Sequence, residues 1–134
     1  MNEHNIIWDM PGAEIEAESF RRIEAEADPA QRARFSDDEW RVARRLIHTT
    51  ADFSICELLE FSGDPIRKLR EALARGATVY SDSNMIKAGL SVPKLRKFNP
   101  DYSREGILCE IASPEVAALA ARENITRALA AVRL

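Results

Sequence analysis

Cysteine and histidine are scarce in this chain, which holds two of each at Cys56, Cys109, His4 and His48. The cysteines form no CxxC pair and the histidines lie far apart, which argues against a structural metal site. Isolated cysteines of this kind read as reduced, buried thiols. Long apolar runs are also missing, so no segment of the 134 residues is built to span a bilayer. The opening Met1-Asn2-Glu3-His4-Asn5 lacks the basic-then-apolar order of a secretory signal, which makes a cytoplasmic location the expectation. Aromatic residues are few, and the lysines and arginines are scattered with no interleaved stacking set, which speaks against nucleic acid as a partner. A hydrolase built on His48 and Asp52 would lack a nucleophile, since there is no GxSxG elbow and no cysteine in a matching context.

What is present is one domain's length with apolar content enough for a core. The charge is unevenly placed: residues 1–65 carry 7 basic and 15 acidic side chains, a net of −8, and residues 66–134 carry 12 and 7, a net of +5. Such asymmetry suits either an anionic partner for the basic half or two solvated surfaces that attract each other.

After a Pro11-Gly12 turn, Ile15, Ser19 and Ile23 recur every four residues and put the Ser19 hydroxyl on the apolar face of a first helix. Phe35, Ser36, Glu39 and Trp40 then spell a capping box with a hydrophobic staple, followed by the stripe Trp40, Ala43, Ile47. A short helix is expected from Phe53 to Phe61. Another follows, with Asp64 as N-cap, Pro65 at N1, the stripe Ile66, Leu69, Leu73, and Gly76 at C′. The period changes at Ala77-Thr78-Val79-Tyr80-Ser81, which reads as a buried strand, and Ile107-Leu108-Cys109-Glu110-Ile111 reads as a second. Residues 85–98 are expected to be helical in part, and Asn99-Pro100-Asp101-Tyr102-Ser103 is turn-rich. Ser113 with Pro114 caps a helix that stops at Asn124, before a last segment striped by Ile125, Leu129 and Val132. This order predicts an α/β domain with a parallel sheet, preceded by a helical region. Only two strands are legible, so the sheet reads as incomplete.

His48 lies just past an apolar helical face, among the hydroxyls of Thr49 and Thr50 and the carboxylate of Asp52. Histidine exchanges a proton near neutrality at small cost, and a helix C-terminus and Asp52 would both favour its imidazolium. Two readings stand at this point: a proton donor facing a ligand, or a helix-terminal histidine satisfied by Asp52 or a carbonyl. His4 sits in a polar tail and is expected to be solvated. Asp82 and Asn84 suit a ligand loop at a strand's carboxyl end or a plain Asx-turn. Met85 suits a pocket or core filler. Arg127 suits a carboxylate or a neighbouring helix end, Thr126 an N-cap, and Arg44 and Arg45 a solvated face.

Four segments in order resemble the precorrin-8X methylmutase family of cobalamin biosynthesis: Ile15-Glu16-Ala17-Glu18-Ser19-Phe20, Ile47-His48-Thr49-Thr50-Ala51-Asp52-Phe53, Asp82-Ser83-Asn84-Met85 with Gly89, and Ile125-Thr126-Arg127. The Thr-Thr-Ala-Asp-Phe wording is closer to the branch that acts on cobalt-containing intermediates. The resemblance implies one methylmutase-like domain over residues 1–134, helical to about residue 76 and α/β beyond it, with a three-layer flavodoxin-like parallel sheet. It further implies a homodimer and an isomerase that needs no separate cofactor and moves a methyl group from C11 to C12 of precorrin-8X or cobalt-precorrin-8. By this likeness His48 is catalytic, and Ser19, Thr49, Thr50, Asp82, Asn84, Met85 and Arg127 bind the tetrapyrrole. The family's further strands and glycine-rich loops have no counterpart here, so the alternative expectation is a shortened, non-catalytic tetrapyrrole-binding or oligomerisation module.

Overall fold

The computed structural model describes residues 10–134, and His4 lies outside them. The chain divides between Ile66 and Arg67 into two compact units. In the first unit α1 (Gly12–Glu26) starts one residue after Pro11. The expected Pro-Gly turn is thus a helix entrance. Proline's fixed φ suits that position, and its carbonyl accepts the N–H groups of Glu14 and Ile15. The apolar face of α1 is buried only at Ile23, and Ile15 stays 53% exposed. A single turn, α2 (Pro29–Arg32), is capped by Asp28, which accepts the Ala30 N–H.

The capping chemistry of α3 (Asp37–Thr50) follows the sequence closely: Ser36 and Glu39 form the box, and Phe35 stacks on Trp40 with ring centroids 6.3 Å apart. Three acidic residues in its first turn complement the positive end of the helix dipole. Trp40, Ala43 and Ile47 are buried as the periodicity predicts and form a core with Ile23, Phe35 and Cys56. The helix ends at Ala51, whose φ of 54° carries it into the left-handed region while its N–H returns to the Ile47 carbonyl. The helix expected over residues 53–61 shrinks to α4 (Ile55–Leu58). Its apolar residues at 53, 55, 56, 59 and 61 pack against the core at spacings no single helix face offers, so the chain turns extended at Leu59.

The second unit takes up within α5 (Pro65–Ala74), which closes in a Schellman motif: Ala77 N–H reaches the Ala72 carbonyl, Gly76 N–H the Leu73 carbonyl, and Gly76 sits at φ 77°. Leu73 is buried, but Leu69 is exposed, so the expected stripe is narrower than its periodicity. Strands β1 (Val79–Tyr80) and β2 (Ile107–Leu108) pair in parallel, Val79 with Ile107 and Tyr80 with Leu108. Both strands are shorter than expected. Ser81 ends β1 by folding its hydroxyl onto the backbone of Ser83, and Glu110 ends the second by accepting the Ser113 N–H in a turn. They are also only half buried: Ile107 is fully enclosed, whereas Tyr80 and Leu108, in register on the other face, are 43% and 40% exposed.

Between the strands run α6 (Asn84–Gly89), α7 (Val92–Leu95) and a 3-10 turn at Arg104–Gly106. Tyr102 is buried here, with its hydroxyl donating to the Ala77 carbonyl. Finally α8 (Pro114–Glu123), capped by Ser113, turns at the left-handed Asn124 into α9 (Arg127–Arg133), capped by Thr126. The expected Leu129 and Val132 stripe is not the buried one, and Val132 is 71% exposed. Instead Ala130 and Ala131 pack on Val116, Leu119 and Ala120, since small side chains let two short helices approach closely. The described residues are therefore mostly helical with one small parallel sheet. Of the two thiols only Cys56 is buried, and burial pushes it above the usual thiol range; Cys109 is half buried, contrary to expectation.

Candidate functional site

His48 sits beside the buried Ile47 in the last turn of α3, so its side chain leaves the core at the edge facing α1. Ser19 lies one turn before the buried Ile23 on α1. The two meet: Ser19 Oγ is 2.7 Å from His48 Nδ1. Both line a cleft of about 470 Å³ within the first unit, walled on its apolar side by Ile15, Ile47 and Phe53. That volume falls in the range of small-molecule sites. Among the described residues, Ser19 Oγ has no other hydrogen-bond partner and His48 Nε2 has none at all. When the serine hydroxyl donates to Nδ1, Nε2 carries the proton, and when the ring is cationic Nε2 carries one as well. In these two states the imidazole offers a donor at Nε2, whereas in the tautomer whose Nδ1–H donates to Ser19 it offers an acceptor.

The ring's second neighbour is Phe20, which packs edge-on at 5.3 Å and 60°. Phe20 lies under two guanidinium groups, with Arg44 and Arg45 at 4.4 and 4.7 Å from its centroid. Arg44 is ion-paired to Glu24 at 2.6 Å, and Arg45 to Glu16. The sequence expectation of a solvated face for both arginines therefore fails for Arg44, whose side chain is only 26% exposed. Asp52 does not serve His48 as expected. Its carboxylate accepts the Ser54 N–H at 2.8 Å, and hydrogen bonds from Ser54, hydroxyl first and backbone second, hold it below the usual carboxylate range.

Thr49 and Thr50 follow the cleft's histidine but are not among the residues lining the cleft, and each hydroxyl donates back to a carbonyl four residues earlier, Arg45 and Leu46. Toward a ligand they can only accept. In the second unit, Asp82, Asn84 and Met85 stand at the carboxyl end of β1, as expected for a parallel sheet. Asp82 lies in the bend between β1 and α6, but the other two do not: Ser83 caps α6 by accepting the Met85 N–H, and Asn84 and Met85 form that helix's first turn. Met85 is 81% exposed, which rules out core filler. Arg127 is exposed at the first position of α9 and forms no ion pair among the described residues.

Glu18 was overlooked in the sequence, although its spacing to Arg21 and Arg22 is the usual helical ion-pair spacing. It lies on the cleft wall and accepts Arg21 Nε and Nη2 and Arg22 Nε, all at 2.7 Å. These bonds, Arg21's first, hold its carboxyl at about 2. A carboxyl lowered on folding stabilises the fold above the ordinary carboxylate range and loses that contribution as pH falls through its folded value. Carbon-detected NMR titration of the Glu18 carboxyl should therefore show a midpoint near 2. A midpoint in the ordinary glutamate range would show that the double clamp does not form.

Among the described residues, no helix is long and apolar enough to cross a membrane, and no group of three or more His, Cys, Asp or Glu side chains could hold a metal ion. A sequence model of the precorrin-8X methylmutase family matches residues 14–134. The cobalt-precorrin-8 methylmutase of Leptospira interrogans is 33% identical over 122 residues, covering 91% of this chain and 52% of the relative. The precorrin-8X methylmutase of a Sinorhizobium species is 33% identical over 134 residues, covering 100% of this chain and 59% of the relative. Among solved structures, the precorrin-8X methyl mutase of Thermus thermophilus superposes with a TM-score of 0.70 at 39% identity, over 91% of this chain and 54% of that one. The chain spans about half the length of the curated relatives it matches.

Proposed function

Because this chain belongs to the precorrin-8X methylmutase family, we propose that it binds a corrin-type tetrapyrrole against His48 and moves a methyl group from C11 to C12. Precorrin-8X or cobalt-precorrin-8 would give hydrogenobyrinate or cobyrinate. The observation that carries this reading is the Ser19–His48 contact at 2.7 Å, which leaves Nε2 of this cleft-lining histidine without a partner among the described residues. One carbon–carbon bond breaks and one forms within the same molecule, so no atoms are gained, and the family resemblance implies that no separate cofactor is needed. The migration rearranges the conjugated π-system, and a donor held at a ring nitrogen stabilises the charge that develops there. Ser19 fixes the donor by engaging Nδ1. Thr49 and Thr50 supply acceptors.

The family resemblance supports a tetrapyrrole-binding role for Arg127, whose planar fork suits a carboxylate. Asp82 and Asn84 offer orienting polar groups, and Met85 offers apolar contact. The family resemblance supports a homodimer, a three-layer flavodoxin-like domain and a cytoplasmic location as parts of the same proposal. A second reading is a tetrapyrrole-binding or oligomer-forming module of the same family without turnover. Titration of the chain with hydrogenobyrinic acid, the metal-free product, tests both. A saturable, stoichiometric shift of the visible spectrum supports a corrin pocket. Binding without conversion of substrate favours the second reading, and no shift from a folded protein contradicts both.

A further inference from the structure

A single hydrogen bond to one nitrogen restrains an imidazole only within the give of that bond's length and angle. Ser19 supplies that one bond to Nδ1, so the plane of His48 needs a second constraint, and the neighbour that supplies it is Phe20. Phe20 occupies the middle of a stripe on α1, with Glu16 four residues before it and Glu24 four residues after. From α3, Arg44 reaches Glu24 and Arg45 reaches Glu16, and both guanidinium carbons come within 5 Å of the Phe20 centroid, at 4.4 and 4.7 Å. Arg44 lies one helical turn before His48 on the same side of α3.

The two arginines are not equivalent. Glu24 Oε1, which receives Arg44, also accepts the indole N–H of the buried Trp40 at 2.8 Å, so Arg44 is tied to the core. Its Nε is buried with no acceptor among the described residues. An N–H stripped of water and left unpaired is unfavourable. The Glu24 bond and the Phe20 face hold the guanidinium there nonetheless. Arg45 is half exposed.

We infer that Arg44 is a positioning residue for His48, acting through the Phe20 ring, so that the Trp40–Glu24–Arg44–Phe20 cluster sets the direction in which Nε2 faces the cleft. The inference gives its role within the function proposed above, but it can be tested without substrate. In the ¹⁵N-labelled chain, long-range proton–nitrogen correlation reads the two ring nitrogens of His48 directly, with His48→Gln assigning them against His4. At mildly alkaline pH the native ring should show one tautomer, with Nδ1 accepting and Nε2 protonated, and Ser19→Ala should move both nitrogens toward the averaged position of a free imidazole. Arg44→Met and Phe20→Leu should each move them at least half as far, and Arg44→Lys, which keeps charge without the planar fork, should move them less than Arg44→Met. Nitrogen positions unchanged in folded Phe20→Leu and Arg44→Met proteins would overturn the inference, even if both unfold more readily. Should Arg44→Met not fold, Phe20→Leu decides it alone, and unchanged nitrogen positions in that folded protein overturn the inference. Failure to convert substrate leaves this outcome untouched, because the readout is the ring itself.

Discussion

Replacing His48 with alanine should lower the rate of precorrin-8X conversion by about 10²- to 10⁴-fold, the usual worth of a positioned proton donor, while leaving the fold intact. The ring is half buried at the edge of the cleft, not in the core, and its polar contact is one serine hydroxyl. Removing it therefore strands no buried partner, since Ser19 can turn its hydroxyl to solvent. Conversion followed by visible absorbance, with circular dichroism as the control on folding, reads both halves of this expectation. The loss should fall on kcat, because an interaction made only as charge develops does not contribute to ground-state binding. Full activity in a folded His48→Ala protein would remove His48 from the chemistry.

The largest effect on stability is expected from Trp40→Ala. The side chain is buried in the first unit's core, stacks on Phe35, lies under the Arg32 guanidinium at 5.2 Å and donates to Glu24. Deleting a buried tryptophan costs about 3–5 kcal/mol in cavity and transfer terms. Here the change also frees Glu24, and with it the anchor of Arg44. Against a typical domain stability of about 5–15 kcal/mol, the urea midpoint should drop sharply. The slope of the transition should stay near the native value if the same surface is exposed. A midpoint shift equivalent to only a few tenths of a kcal/mol in stability would mean that Trp40 is not a core residue in solution.

Local signals were the legible part of this fold. Ser36, Ser113 and Thr126 cap helices as their neighbours in sequence predict, and Gly76 and Asn124 end them in the left-handed region, because caps are settled within a few residues. Periodicity named the core of α3 correctly for a related reason: only one face of that helix is apolar. It failed where a helix has more than one candidate face. In α9 the large residues Leu129 and Val132 suggested a stripe, yet close approach to α8 selects Ala130 and Ala131, a choice made by the partner helix.

The site divides the same way. Ser19 was legible as a polar group on the apolar face of α1 and His48 as a residue at the end of the α3 stripe, but their hydrogen bond to each other was not, because it depends on how α1 packs on α3. Asp52 looked like the partner of His48 by proximity in sequence, but the left-handed cap at Ala51 ends the helix before it and the carboxylate closes a local turn on Ser54. Arg44 looked solvated because arginines on helices usually are. Its burial depends on Glu24 and Phe20, brought to it by packing of α1 on α3. The four-residue recurrence of Glu16, Phe20 and Glu24, alongside that of Ile15, Ser19 and Ile23, was the available signal.

The central claim, that this chain turns over a corrin precursor at His48, is tested most directly by mixing excess purified protein with precorrin-8X and following the visible spectrum through one turnover. The account predicts conversion to the hydrogenobyrinate spectrum with a rate that saturates in protein concentration. An unchanged substrate spectrum, from protein shown to be folded and to bind hydrogenobyrinic acid, would contradict it and leave a tetrapyrrole-binding module in its place.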